Sequence, residues 1–112
     1  MTTPADSAGQ SKTPSPSYIV QAANTKKLVH QLRAVQRSKP ADLARVEDAI
    51  KQLAAIPRPF GIEKLDKDTY RLRCGDWRII YRVSDEKNEV RIGAVRRRNE
   101  RTYKDDAAEL FD

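Results

Sequence analysis

Tyr70-Arg71-Leu72-Arg73-Cys74-Gly75-Asp76-Trp77-Arg78-Ile79-Ile80-Tyr81-Arg82-Val83 is the stretch that decides the fold. It reads as two β-strands joined by a tight Gly75-Asp76 turn. Side chains alternate between the two faces of a strand. Tyr70, Leu72 and Cys74 therefore share one face of the first strand, and Arg71 and Arg73 share the other. In the second strand Trp77, Ile79, Tyr81 and Val83 fall on the apolar side, and Arg78, Ile80 and Arg82 on the opposite side. A sheet with an apolar face and a row of arginines behind it presents its open side to anions.

Outward from this hairpin the organisation is regular. Residues 1–17 are small, polar and proline-bearing, with too little apolar surface to offset the entropy of ordering, so they read as a disordered tail. The folded domain spans 18–112. Tyr18 to Ala22 is a short apolar run and a candidate strand. Asn24 is placed to cap a helix reaching about Arg37, with Leu28, Leu32 and Val35 as its buried stripe. Ser38-Lys39-Pro40 breaks it, Pro40 fitting the first turn of a second helix over about Ala41 to Ala55. Leu43, Val46, Ile50 and Leu53 form that helix's apolar stripe, and Pro57-Arg58-Pro59 ends it. After the hairpin, Asp85 to Asn88 is a turn and Glu89 to Val95 a third strand, with Val90, Ile92 and Ala94 expected on its core face. The order is β-α-α-β-β-β. The expected architecture is α+β: a helical hairpin packed on one face of an antiparallel sheet, the basic face left open.

Charge supports a polyanionic or acidic partner. The chain carries 22 Lys+Arg against 16 Asp+Glu, a net charge of +6. Eleven of those bases and only five of the acids lie between Arg71 and Lys104, whereas Asp105 to Asp112 holds four acids and no base. A concentrated basic surface suits RNA, DNA or an acidic protein. No segment is apolar enough for a bilayer and no secretory leader is apparent, which points to the cytoplasm. A single cysteine forms no internal disulfide, and a single histidine leaves no histidine-based metal site. His30 lies off the apolar stripe, on the side of its helix expected to face away from the sheet, and reads as a surface residue. Cys74 reads as a core residue. No phosphate-binding glycine loop or Ser/His/Asp set is present, and no cofactor is expected. The remaining chemistry lies in the arginines: Arg71, Arg73 and Arg78 on the hairpin, then Arg96-Arg97-Arg98 after the last strand, with Arg101 and Tyr103 beyond. Arginines bind phosphate bidentately and stabilise charge that develops on it, and a tyrosine stacks on bases.

Lys64-Leu65, Tyr70-Arg71-Leu72-Arg73, Gly75-Asp76-Trp77-Arg78-Ile79-Ile80-Tyr81 and Val95 through Arg98 to Tyr103 together resemble the RelE/ParE toxin superfamily. The resemblance runs from about Tyr18 to Tyr103. It implies a toxin of a type II toxin–antitoxin pair, held by a cognate antitoxin in a hetero-oligomer. The RelE branch cuts mRNA in the ribosomal A site, whereas the ParE branch inhibits DNA gyrase. The RelE branch's basic and aromatic positions fall on Arg71, Arg73, Arg78, Arg98 and Tyr103, all occupied, which favours an mRNA interferase. By that resemblance Arg73 and Arg78 hold the phosphate, Arg98 meets the leaving 5′-oxygen and Tyr103 positions the nucleotide. Lys64, Arg71, Arg82, Arg96, Arg97 and Arg101 are the accompanying RNA contacts. Known RelE-type toxins carry lysines where this chain has Arg71 and Arg73. Because arginine stays protonated, the proton acceptor is then Tyr103, or positioning alone carries the reaction. A gyrase inhibitor and a non-catalytic RNA-binding module are the alternative functions.

Overall fold

The computed structural model describes residues 17–98 and Phe111. The expected disordered tail, Arg101 and Tyr103 lie outside the described residues. Strand β1 (Ile19–Ala22) leads into helix α1 (Thr25–Ser38) and helix α2 (Pro40–Gln52). Strands β2 (Glu63–Lys64), β3 (Thr69–Cys74), β4 (Trp77–Ser84) and β5 (Glu89–Arg97) follow. The sheet order is β1-β5-β4-β3-β2. The α+β architecture is as expected, with two additions. The sheet is mixed, since β1 runs parallel to β5, and it gains β2 as a two-residue edge antiparallel to β3.

Local chemistry accounts for the boundaries. The Asn24 side chain accepts from the Lys27 amide at 3.0 Å and caps α1. Lys39 ends α1 and begins α2, with Pro40 in the first turn, where its missing N–H costs nothing. Between β3 and β4, Gly75 adopts φ +60° while Asp76 keeps a negative φ, the pattern of a type II′ hairpin loop. Asn88, at φ 51°, closes the β4–β5 turn from the left-handed region that asparagine tolerates.

The core lies between the helical hairpin and one sheet face. Val35 of α1 and Val46 of α2 are wholly buried against Ile79, Tyr81, Val83, Val90, Ile92 and Val95, with Leu28, Leu32, Leu43 and Ile50 packed around them. Each such side chain contributes on the order of 2 kcal/mol by leaving water. Two polar groups inside are satisfied: the Tyr81 hydroxyl donates to the Pro57 carbonyl at 2.8 Å, and the Trp77 indole N–H donates to Asp42 at 3.0 Å. Burial pushes the Tyr81 phenol above its ordinary pKa and the Cys74 thiol likewise. Arg58 locks the far end. It forks onto Asp85 (3.1 and 2.9 Å), while its Nε donates to the Tyr70 hydroxyl at 2.9 Å.

Strand β5 departs from simple alternation. Ile80 pairs with Ala94 but Tyr81 pairs with Ile92, so Gly93 is an extra residue opposite that step. Such a bulge inverts the face of every residue beyond it. Val90 and Ile92 face the helices, as expected. Ala94 does not: it lies on the opposite face with Ile80, and Val95 takes the helix-facing place. The Val95 amide is met by the Gln31 side-chain oxygen of α1 at 2.8 Å. The second face is also not bare, because Phe111 (5% exposed) packs on Ile80 and Ala94, flanked by Ala23 and Leu65.

Candidate functional site

The bulge and the hairpin register together assemble the arginines. Arg73 pairs with Arg78 across β3–β4, and Arg78 pairs with Arg96 across β4–β5, giving one cationic row over three strands. Arg71 stands one step along β3 on the same face, opposite Ile80. A cleft of about 330 Å³ is lined by Gly61, Glu63, Arg71, Arg73, Arg78 and Arg98.

Arg78 is the fixed element of this cleft. Its Nη1 donates to the Gly75 and Trp77 carbonyls, both at 2.9 Å, so the guanidinium folds back on the hairpin turn. Burial, and then the nearby charges of Arg73, Arg71 and Arg98, lower its pKa. The three neighbouring arginines add to the effect of burial, while Asp76 opposes it. An anion entering the cleft relieves it.

Carboxylates stand at the two ends. Glu63 pairs with Arg71 across the β2–β3 ladder and accepts from its guanidinium. Asp76 serves Arg98: its carbonyl accepts the Arg98 amide at 2.9 Å, and its Oδ1 lies 3.8 Å from the Arg98 Nε. The Asp76 Oδ2 accepts from Lys39 Nζ at 2.7 Å. Lys39, and behind it Arg98 and Arg97, hold the Asp76 carboxyl below the usual aspartate range. The turn residue Asp76 thereby ties the helix junction to the start of the C-terminal segment.

Of the residues singled out in the sequence, Arg71, Arg73, Arg78 and Arg98 come together in the cleft. Arg96 shares the face beside them. Arg82 sits farther along it, its Nε on the Thr69 hydroxyl at 3.2 Å and its guanidinium 4.5 Å from the Phe111 ring centre. Two residues stand elsewhere. Lys64 pairs with Tyr70, which sets it on the helix-side face. Arg97 is turned to the helix side by the bulge, where it stacks on Trp77 at 5.1 Å and meets the Ser38 hydroxyl. His30 is exposed as expected, but it does not face away from the sheet. With Ala34 and Ser38 it borders a hollow against Trp77, Val95 and Arg97, because α1 crosses the β5 edge there. Glu63 and Phe111 belong to this face and carry no motif. The only sequence signal for Glu63 is its place two residues beyond Gly61, which adopts φ +88°. Among the described residues no group of three or more His, Cys, Asp or Glu is placed to hold a metal ion, and no helix is long and apolar enough to cross a membrane.

Two helices on a mixed five-stranded sheet with an arginine-lined cleft on the other face define a small α+β toxin fold. The family model described as the ParE toxin of type II toxin–antitoxin system, parDE, matches residues 22–102. The chain belongs to this family and is a toxin of a type II toxin–antitoxin system. It is similar in structure to the archaeal RelE–RelB complex from Pyrococcus horikoshii OT3 (TM-score 0.65, 26% identity, 76% of this chain and 99% of that one). It is similar also to the toxin–antitoxin complex RelBE2 from Mycobacterium tuberculosis (TM-score 0.58, 28% identity, 75% and 94%). The isolated RelE toxin of E. coli shares the fold (TM-score 0.59, 18% identity, 83% and 97%). A comparison with curated protein sequences finds no match.

Proposed function

We propose that this toxin is a RelE-type mRNA interferase, an endoribonuclease acting on message bound to the ribosome. The four-arginine cleft is the observation that carries this reading. In-line attack of a ribose 2′-hydroxyl on the adjacent phosphorus builds negative charge on the phosphoryl oxygens, and preorganised guanidiniums stabilise it. Arg73 and Arg78 face one another across the hairpin and grip the phosphate. Arg98 meets the leaving 5′-oxygen, and Tyr103 positions the nucleotide. Arg71, Arg82, Arg96 and Arg101 extend the contact along the RNA backbone. Lys64 and Arg97, on the helix side, fall outside this surface. No cofactor is required, and the site of action is the cytoplasm. A cognate antitoxin is the protein partner; that two structural relatives are toxin–antitoxin complexes supports it.

The test is induced expression with mapping of message ends. The expected result is rapid translation arrest with cuts confined to translated message, lost in Arg78→Ala and Arg98→Ala. One observation favours a second reading, that of a gyrase inhibitor: the matching family model is described as ParE. DNA breaks and an SOS response with intact message establish that reading and discard the first.

A further inference from the structure

Among the described residues that line the cleft, one side chain alone is able to accept a proton at neutral pH. Arginine remains protonated in proteins, and glycine offers no side chain. That leaves Glu63 beside Arg71, Arg73, Arg78 and Arg98. A 2′-hydroxyl must lose its proton as its oxygen bonds to phosphorus, and a carboxylate within hydrogen-bond reach supplies the acceptor. We infer that Glu63 is the general base of the cleavage reaction. The assignment rests on the endoribonuclease reading and names the residue that deprotonates the nucleophile.

The placement is built into the sheet. Glu63 and Arg71 are ladder partners, so both project to the arginine face. Arg73 follows two residues along β3, roughly 7 Å farther on at the usual strand rise, and it faces Arg78. By the sheet order Glu63 flanks the Arg73–Arg78 pair from the β2 side and Arg98 follows β5 on the other side, and both line the same cleft. The Glu63 side chain is 56% exposed, whereas that of Arg71 is 17% exposed, so the carboxylate is the accessible member of their pair. Arg71 meets it at Oε1, and a carboxylate has two oxygens with about four acceptor sites. The ion pair therefore orients the base without consuming it.

In the reaction the O2′–P bond forms as the P–O5′ bond breaks. The 2′-hydroxyl proton passes to the Glu63 carboxylate. The departing O5′, stabilised by Arg98, takes a proton from water, and the Glu63 carboxyl later returns its own to solvent. The products are a 2′,3′-cyclic phosphate and a 5′-hydroxyl end, with no net change in protons.

The test is cleavage of a defined message in a reconstituted translation system, with ribosome binding measured in parallel. Glu63→Gln is expected to lower kcat by about 10²–10³ while binding stays within about threefold, and circular dichroism should match the wild type. Glu63→Asp should recover part of the loss. Glu63→Gly should regain activity with added formate, a rescue that a purely structural role does not produce. The inference is overturned if Glu63→Gln cleaves within threefold of wild type, or if formate restores nothing to a folded Glu63→Gly. A wild-type protein that leaves translated message intact overturns the endoribonuclease reading and this assignment with it.

Discussion

Arg73 and Arg78 stand directly opposite one another across the β3–β4 ladder, two like charges at a position where strands favour opposite ones. The pairing lowers the stability of the hairpin that creates the cleft. Arg78 offsets part of this by donating to two carbonyls of the turn, whereas Arg73 is exposed and among the described residues makes no ion pair with an acid.

This asymmetry separates the two arginines by experiment. Arg73→Gln should raise stability by about 0.5 kcal/mol, read as a higher urea midpoint at unchanged m-value. Arg78→Ala should not, because it frees the Gly75 and Trp77 carbonyls. Both variants should weaken RNA binding, each reducing the slope of log affinity against log salt by about one.

Phe111 supplies the cover of the second face. Its ring is 5% exposed over Ile80 and Ala94, with Arg82 stacked 4.5 Å from its centre. Phe111→Ala should cost about 3 kcal/mol in urea unfolding. Phe111→Leu should lose less, because it retains the apolar contact and gives up only the cation–π part.

Gly93 is absorbed as a bulge opposite the Ile80–Tyr81 step, so that Val95 faces the core and Arg96 the arginine face. Deleting it leaves a regular ladder in which Ile92 still pairs with Tyr81 and Ala94 with Ile80, so both destinations are kept, whereas one extra residue after Ala94 turns Val95 outward and Arg96 inward. The deletion should therefore leave unfolding cooperative and the insertion should abolish it, as judged by thermal melts followed by near-UV and far-UV circular dichroism.

Acid stability should depend on Asp85. Arg58 and then the Tyr18 hydroxyl hold its carboxyl below the ordinary aspartate value of 3.8. A depressed folded pKa contributes stability above the unfolded value, lost as pH falls through the folded one. The wild type should accordingly lose stability below about pH 4, and Asp85→Asn should show a shallower fall across that window. Melting temperatures between pH 2 and pH 7 check this.

The helical hairpin and the two faces of Tyr70–Val83 were legible because each follows a single period, 3.6 or 2, over enough residues to register. The Asn24 cap and Pro40 start were legible from local hydrogen-bonding chemistry. Ala94 was misplaced because one inserted residue breaks the period of 2 without leaving a compositional trace, and ordinary alternation beyond it sets Arg97 on the face opposite Arg96. His30 was placed on the wrong side because the stripe defines the buried face of α1 but not where its flank meets the β5 edge. Glu63 went unnoticed since a two-residue strand has no periodicity to read; only its pairing with Arg71 gives it a face. The parallel seating of β1 on β5 depends on tertiary packing across 70 residues of chain, beyond any local signal.

The bulge at Gly93 gives β5 two addresses. Upstream of it, odd and even positions mean one thing; downstream they mean the reverse. Within Arg96-Arg97-Arg98, identical side chains are sorted by parity alone: Arg96 to the arginine face, Arg97 to the aromatic ring of Trp77. One further residue between Gly93 and Arg96, with no second bulge to absorb it, would exchange those destinations while leaving the three arginines in place in the sequence.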